Sequence, residues 1–111
     1  ARRHDIWIIT DEVYDRIIYG SEHVSFLGTG YEKLLLVNSF SKTFAMTGWR
    51  IGYILSTNLD AMKQLIKLQY YVTACSNDAM QYAVLAAFEK ANDYPELMCK
   101  EFKARRDLIC Q

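Results

Sequence analysis

The chain has 111 residues, of which 51% are hydrophobic and 23% charged, a composition that indicates one modest globular domain and excludes a disordered or fibrous protein. Thirteen basic and thirteen acidic residues cancel and form no basic stripe, so a nucleic-acid or membrane-surface partner has no electrostatic support. No apolar run approaches the roughly 20 residues that cross a bilayer. Three cysteines without paired spacing argue against a disulfide framework and a metal site, and we expect a reducing, cytoplasmic setting.

Both ends of the chain differ from those of a typical complete protein. The first residue is Ala1 rather than Met, and a helical pattern is still running at Gln111. We interpret the chain as an internal segment of a larger protein. As an isolated segment it is then expected to be inactive.

Three short apolar runs predict strands, at residues 6–10, 33–38 and 50–56. The first run is continuously apolar and β-branched, which is typical of a parallel strand covered on both faces. Residues 39–49, between the second and third strands, contain no convincing crossover helix, so the third strand should run antiparallel to its neighbour. The sequence therefore predicts an α/β fold: part of a mostly parallel sheet with one antiparallel strand, covered by helices.

Three helices are predicted after the third strand, each beginning at a capping signal. Residues 57–60 read as a capping box, and Ser76 or Asn77 begins the second helix. Asp93 and Pro95 begin the third, with Asp93 as the cap and Pro95 in the first turn. Amphipathic helices that cover the sheet are a sufficient interpretation of these patterns.

The stretch from residue 39 to residue 52 is unusual for a loop between strands. It combines two serines, Lys42 and Arg50 with large apolar residues, whereas surface loops are usually polar. This mixture is typical of a lined pocket for an anionic ligand, and desolvation there would favour the free amine of Lys42, a candidate nucleophile. We expect the walls of the pocket to be Phe40, Phe44, Met46 and Trp49.

Asp11 and Tyr14 follow the first predicted strand, where ligands bind in open α/β sheets. Taken alone, Asp11 is better explained as the cap of the following turn. Each of the other polar groups also has a purely structural alternative. Ser39 and Ser41 could satisfy loop backbone, Arg50 could pair with a carboxylate, and Tyr14 could be a core residue with its hydroxyl at the rim.

Taken together, these residues resemble a known family. The order Asp-x-x-Tyr at residues 11–14, followed by Ser-x-Ser-Lys-x-x-x-Met-x-Gly-x-Arg-x-Gly at residues 39–52, is similar to that of the pyridoxal-phosphate-dependent aminotransferases of classes I and II. These enzymes have the aspartate aminotransferase fold. The resemblance covers essentially the whole chain. It implies that residues 1–92 are part of the cofactor-binding large domain, that residues 93–111 begin the helix leading to the small domain, and that the full-length protein is a homodimer.

The resemblance also implies a role for each polar residue. Lys42 would form the Schiff base with the aldehyde of pyridoxal 5'-phosphate and then move a proton at the substrate Cα. Asp11 would face the pyridine nitrogen and keep it protonated, and Tyr14 would donate to the ring oxygen, so these two and Lys42 are the implied catalytic residues. The residues implied to bind the phosphate are Arg50, Ser39 and Ser41.

The implied reaction moves an amino group between an amino acid and a 2-oxo acid, and the chain looks most like the prokaryote-type aspartate and aromatic aminotransferases. Two alternatives stay open on the sequence. One is a lyase or synthase that shares the lysine loop, and the other is a cofactor-binding effector domain of a transcription regulator. The substrate's side-chain contacts lie outside this segment, so the sequence does not name the amino acid.

Overall fold

The computed structural model describes residues 1–111, and a three-stranded mixed sheet lies at its centre. The strands are β1 (Ile8–Asp11), β2 (Leu34–Ser39) and β3 (Gly52–Leu55), in that spatial order. β1 runs parallel to β2 and pairs Asp11 with Val37, whereas β3 runs antiparallel to β2 and pairs Gly52 with Ser39. The α/β class and the antiparallel third strand are thus confirmed.

The connection between β2 and β3 is too short to cross the sheet. It contains a single helical turn, α1 (Phe40–Thr43), and a 3-10 turn at Thr47–Trp49. Ser39 begins α1, and its Oγ accepts a hydrogen bond from the backbone N–H of Ser41 at 3.1 Å. Because no full helix carries the chain to the other edge, the next strand returns beside β2 in the opposite direction.

One expectation about β1 is wrong for this chain. Ile8 and Thr10 are half-buried, but Ile9 is 69% exposed, so the strand is covered on one face only. Successive side chains of a strand point to opposite faces, and no element of the chain packs over the face that carries Ile9. A continuously apolar run reports the tendency to be buried, and here the covering layer is not part of the segment.

Three helices complete the chain: α2 (Leu59–Thr73), α3 (Asp78–Lys90) and α4 (Tyr94–Ile109). Asn58 caps α2, because its Oδ1 accepts from the N–H of Ala61 at 2.9 Å; the capping box starting at Thr57 was a wrong prediction by one residue. Asn77 caps α3 in the same way. Asp93 occupies the N-cap position of α4 without a side-chain cap hydrogen bond, and Pro95 lies in the first turn as predicted.

The largest buried apolar cluster joins the β2–β3 connection to α3. Phe44, Met46 and Val84 are buried together, and the ring centroids of Phe44 and Phe88 are 5.4 Å apart in an edge-to-face arrangement. Residues half-buried against this cluster are Phe40, Ile51, Ala83 and Ala87. None of the helices is long and apolar enough to cross a membrane.

The core explains why the predicted pocket walls are wrong. Phe44 and Met46 point into the cluster with α3, Phe40 packs on its edge, and Trp49 is 46% exposed. None of the four lines the hollow that contains Lys42. Ala83 and Ala87 of α3 pack against the cluster, so the helix lies close to the β2–β3 connection. The sequence of the connection alone does not reveal this long-range contact.

Candidate functional site

A hollow of about 420 Å³ contains Lys42, and its size falls within the range of about 300–1,000 Å³ that small-molecule sites occupy. Lys42 lies in α1 and is half-buried. Its Nζ is 5.8 Å from the centroid of the Tyr14 ring and makes no hydrogen bond or ion pair within the chain. A half-buried amine without a partner is available to a ligand.

The turn after β1 carries Asp11 and Tyr14. The Oδ1 of Asp11 accepts from the backbone N–H of Val13 at 3.1 Å, which is the capping role considered as the structural alternative. Its Oδ2 makes no hydrogen bond within the chain. Tyr14 is 57% exposed and lines the hollow beside Lys42, so it is not a core residue.

Ser39 and Ser41 lie at the carboxyl end of β2 and the start of α1. Their hydroxyl oxygens are 2.8 Å apart, and the Ser39 hydroxyl also lies 3.1 Å from the carbonyl of Ile51. The Ser39 hydroxyl thus bonds loop backbone, as the structural alternative proposed, whereas the Ser41 hydroxyl bonds only the hydroxyl of Ser39. Ser41 also lines the hollow, whereas Ser39 does not.

Arg50 has a left-handed backbone, with φ 54° and ψ 52°. Only glycine adopts this region without cost, and such residues cluster at ligand sites. Its Nη1 donates to the carbonyl of Thr47 at 2.8 Å, and no carboxylate pairs with it. The carboxylate pairing considered from the sequence is therefore wrong, and the exposed guanidinium keeps donors for an anion.

The hollow has an apolar side that the sequence analysis did not assign to the site. Ile17 and Tyr19 form part of it, together with Met98 and Phe102 from α4. Met98 and Phe102 are four positions apart and therefore share one face of α4. Two apolar residues at this spacing predict that the face is buried, but they do not predict which residues it contacts. The structure shows that this face contributes to the wall of the lysine hollow.

Two polar groups next to the site also escaped the sequence analysis. Glu12 is 6% exposed and accepts from His23 Nε2 at 2.7 Å and from the N–H of Phe26 at 3.0 Å. Asn38 is 4% exposed, and its Nδ2 donates to Oδ2 of Asp15 at 3.0 Å. Glu12 lies within the Asp-x-x-Tyr motif and Asp15 directly after it. Their partners His23 and Asn38 are 11 and 23 residues away in the sequence, and only the fold brings them close.

A second hollow, of about 300 Å³, lies on the side of Phe40 facing α3. It is bounded by β3 and α3, with Gly52, Gln81 and Leu85 among its lining residues. No charged side chain lines it. Lys42, in the first hollow, is therefore the one charged side chain that lines either of them.

The structure brings together part of the predicted residue set. Tyr14, Ser41 and Lys42 line one hollow, while Asp11 lies at the end of the neighbouring strand and is not in its lining. Ser39 and Arg50 line neither hollow. Arg50 lies between the 3-10 turn and β3. The end of β1 and the end of β2 meet at the same edge of the sheet, because the two strands are parallel.

Comparison with known proteins identifies the chain. The family model described as aminotransferase class I and II matches residues 1–111. This chain belongs to the class I and II aminotransferase family. The chain is 44% identical, over 98% of its own length, to a protein named probable aspartate aminotransferase from Methanocaldococcus jannaschii. It is 38% identical, over its whole length, to the aspartate aminotransferase of Thermotoga maritima.

Solved structures of the same family share the fold of this chain. An aspartate aminotransferase of Thermus thermophilus, a mutant complexed with tryptophan, matches 98% of the chain with a TM-score of 0.91 and 32% identity. The chain covers 29% of that structure. It also spans only 30% and 29% of the two curated relatives, so it corresponds to less than a third of their length.

Proposed function

We propose that the full-length protein containing this chain is a pyridoxal-phosphate-dependent aminotransferase, which moves an amino group between an amino acid and a 2-oxo acid. The observation that carries the proposal is the amine of Lys42. It is half-buried beside Tyr14 in a hollow of about 420 Å³ and has no partner within the chain. Relatives named as aspartate and aromatic-amino-acid aminotransferases support the same reaction class, with aspartate or an aromatic amino acid as the proposed substrate.

The residues present fit this cofactor by their chemistry. Lys42 offers an unpaired amine for an aldehyde, and Arg50 offers a guanidinium with no competing carboxylate for a phosphate. Asp11 keeps one carboxylate oxygen free of hydrogen bonds within the chain for a ring nitrogen. Ser39 and Ser41 are proposed as further phosphate donors, since a hydroxyl can turn from its local acceptor to a ligand oxygen.

Pyridoxal phosphate supplies an aldehyde that bonds amines reversibly and a ring that accepts an electron pair. In the proposed mechanism Lys42 holds the cofactor and later moves a proton at the substrate Cα, where a free amine is a suitable general base. Asp11 holds the proton on the pyridine nitrogen, and Tyr14 donates a hydrogen bond to the ring oxygen. Arg50 fixes the phosphate end, so that the reactive end stays beside Lys42.

The test is the absorbance of the full-length protein with pyridoxal phosphate, compared with Lys42→Ala. We expect a visible band in the wild-type protein that is lost in the variant, together with a fall in amino transfer to 2-oxoglutarate of at least about 100-fold, the scale of a lost general base. Lys63→Ala is the matched control, because Lys63 lies on the exposed surface of α2 and pairs only with Asp60.

Two results would contradict the proposal in different ways. A visible band that persists in Lys42→Ala would show that another amine holds the cofactor. A Lys42-dependent band without amino transfer from any common amino acid would leave cofactor binding in place and exclude the aminotransferase reaction. Detection of elimination products would then favour a lyase, and their absence would favour the effector domain of a transcription regulator.

The remaining proposals concern the whole protein. Residues 1–92 are proposed as part of the cofactor-binding large domain and residues 93–111 as the start of the helix leading to the small domain. The full-length protein is proposed to be a homodimer in the cytoplasm.

A further inference from the structure

The side chain of Asn38 bridges the two segments that carry the proposed catalytic groups. It is 4% exposed and uses both ends of its amide. Its Nδ2 donates to Oδ2 of Asp15 at 3.0 Å, and its Oδ1 accepts from the backbone N–H of Ser39 at 2.6 Å. Asp15 directly follows Tyr14, and Ser39 begins the helical turn that contains Lys42.

The other partner in this bridge, Asp15, has a carboxylate oxygen that is buried without a hydrogen bond. Its Oδ1 is buried and has no hydrogen-bond partner in the protein, so Asn38 is the only side chain that donates to the carboxylate. A buried polar atom without a hydrogen-bond partner lowers the stability of the folded state, and such an atom in a folded protein calls for a specific explanation. Asp15 is therefore poorly explained as a contribution to stability alone.

The neighbouring strand β3 also approaches this bridge. Tyr53 pairs with Asn38 across β2 and β3. The pKa of Tyr53 is raised, first by burial and then by the negative charges of Asp15 and Glu12. The Asp15 carboxylate therefore lies near Tyr53 of β3 as well as near Asn38 of β2, whose amide donates to it.

We propose that Asn38 and Asp15 form a link that sets the position of Lys42 relative to Tyr14, which makes Asn38 a positioning residue of the site. The inference rests on the proposed function, because it concerns the cofactor-bound lysine. In the structure the link joins Asp15, which directly follows Tyr14, to Asn38, which lies three residues before Ser41, and both Tyr14 and Ser41 line the hollow. Lys42 Nζ lies 5.8 Å from the Tyr14 ring centroid. Loss of the link should let α1 and the turn after β1 move relative to each other.

The test uses four variants of the full-length protein loaded with pyridoxal phosphate. Asn38→Ala removes the donor, and Asn38→Asp places two carboxylates face to face. Asp15→Asn removes the charge but keeps the link, because the new amide oxygen still accepts from Asn38. The double variant D15N/N38D rebuilds the link with donor and acceptor exchanged, and either oxygen of the carboxylate introduced at position 38 can still accept from the N–H of Ser39.

The readout is the pH midpoint at which the cofactor's visible band changes, measured by absorbance, with kcat and KM alongside. We expect N38A and N38D to shift the midpoint by about one pH unit, the scale on which a lost hydrogen bond or an added charge changes a titration. D15N alone should have little effect, yet it should restore the wild-type midpoint in the double variant. A general loss of stability would instead lower the unfolding temperature and leave the midpoint unchanged.

The control is Asn58→Asp, the same chemical change at the cap of α2, where aspartate caps equally well. The inference is overturned if N38A and N38D keep the wild-type midpoint, or if D15N fails to restore it. It is also overturned if N38D and D15N shift the midpoint in opposite directions by similar amounts, because that is a through-space charge effect.

If N38D does not fold, a folded double variant with the wild-type midpoint supports the link, and a double variant that is unfolded or has a shifted midpoint overturns it. If the wild-type protein shows no Lys42-dependent band, the proposed function itself fails.

Discussion

At the scale of single residues, the site is defined by which polar groups have partners and which do not. The amine of Lys42 and one oxygen of Asp11 are free of hydrogen bonds within the chain, whereas Ser39 and Ser41 satisfy each other. Groups that already have local partners must exchange them to bind a ligand, and unpaired groups need not. The unpaired amine is therefore the strongest single indication of chemistry in this chain.

Glu12 is the most fully satisfied carboxylate next to the site. Burial acts to raise its pKa, but hydrogen bonds from His23, Ser25 and the N–H of Phe26 outweigh burial and hold the pKa below the ordinary 4.5. Because the carboxylate has no proton to give, the Nε2 of His23 is the donor in their 2.7 Å contact. Glu12 thus fastens residues 23–26 to the end of β1, directly after Asp11.

Glu12→Gln should lower the free energy of unfolding of the full-length protein by about 1–3 kcal/mol near neutral pH, the scale of a lost hydrogen-bonded charge. A lowered folded pKa contributes stability that is present above the ordinary value and is lost as pH falls through the folded value. The wild-type protein should therefore lose more stability than the variant between about pH 5 and the lowered pKa. Urea unfolding at several pH values measures this difference.

Glu22→Gln is the matched control, since Glu22 is exposed and makes no hydrogen bond within the chain. Equal losses of stability in the two variants, or identical pH dependence in wild type and Glu12→Gln, would show that the buried contacts of Glu12 do not stabilise the folded state.

At the scale of elements, the antiparallel pairing of β3 with β2 depends on a close backbone approach at Gly52. A Cβ on Gly52 would lie 2.6 Å from the carbonyl oxygen of Asn38 and 3.3 Å from the Cα of Ser39. Real Cβ atoms do not approach backbone oxygens that closely, so one strand would have to shift. The same strand end supplies Ser39 and begins the turn that carries Lys42.

Gly52→Ala should therefore destabilise the full-length protein by about 1–3 kcal/mol, the usual cost of forcing extra atoms into a packed region. It should also weaken retention of pyridoxal phosphate, because the shift falls on the β2 end. Gly28→Ala is the control, since a Cβ there meets no atom within 4 Å. Thermal unfolding and equilibrium dialysis of the cofactor measure both effects, and equal behaviour of the two variants would argue against a tight contact at Gly52.

At the scale of the whole molecule, the chain covers little of its own apolar surface. Only 11 of its 111 residues are buried, none of them in α2 and one, Val84, in α3. Tyr71 of α2 is 75% exposed, and Ile9 of the central sheet is 69% exposed. A segment that corresponds to less than a third of its relatives' length leaves apolar faces for other parts of a larger protein to cover.

The isolated 111-residue chain should consequently lack the cooperative unfolding of the full-length protein. We expect a broad thermal transition followed by circular dichroism and strong binding of a hydrophobic dye, because apolar burial is the main stabilising term in folding. The full-length protein, under the same conditions, should show a sharp transition and weak dye binding. A sharp transition in the isolated chain with little dye binding would show that the segment is an independent folding unit.

The class of the fold, the order of the main elements and the direction of β3 could all be predicted from the sequence. This was possible because apolar runs, capping residues and the length of the 39–49 connection are local signals that act within a few residues. The lysine motif also indicated the family, since the family model matches residues 1–111. These predictions needed no knowledge of distant contacts.

The residues that surround Lys42 could not be predicted in this way, and the folded structure was needed to find them. It placed Phe44 and Met46 in a core with α3, brought Met98 and Phe102 of α4 to the lysine hollow, and revealed the links from Glu12 to His23 and from Asp15 to Asn38. The reason is physical: burial and hydrogen bonding at these positions depend on partners that are distant in the chain. The sequence shows which side chains need burial or a hydrogen-bond partner, and the fold determines which residues provide it.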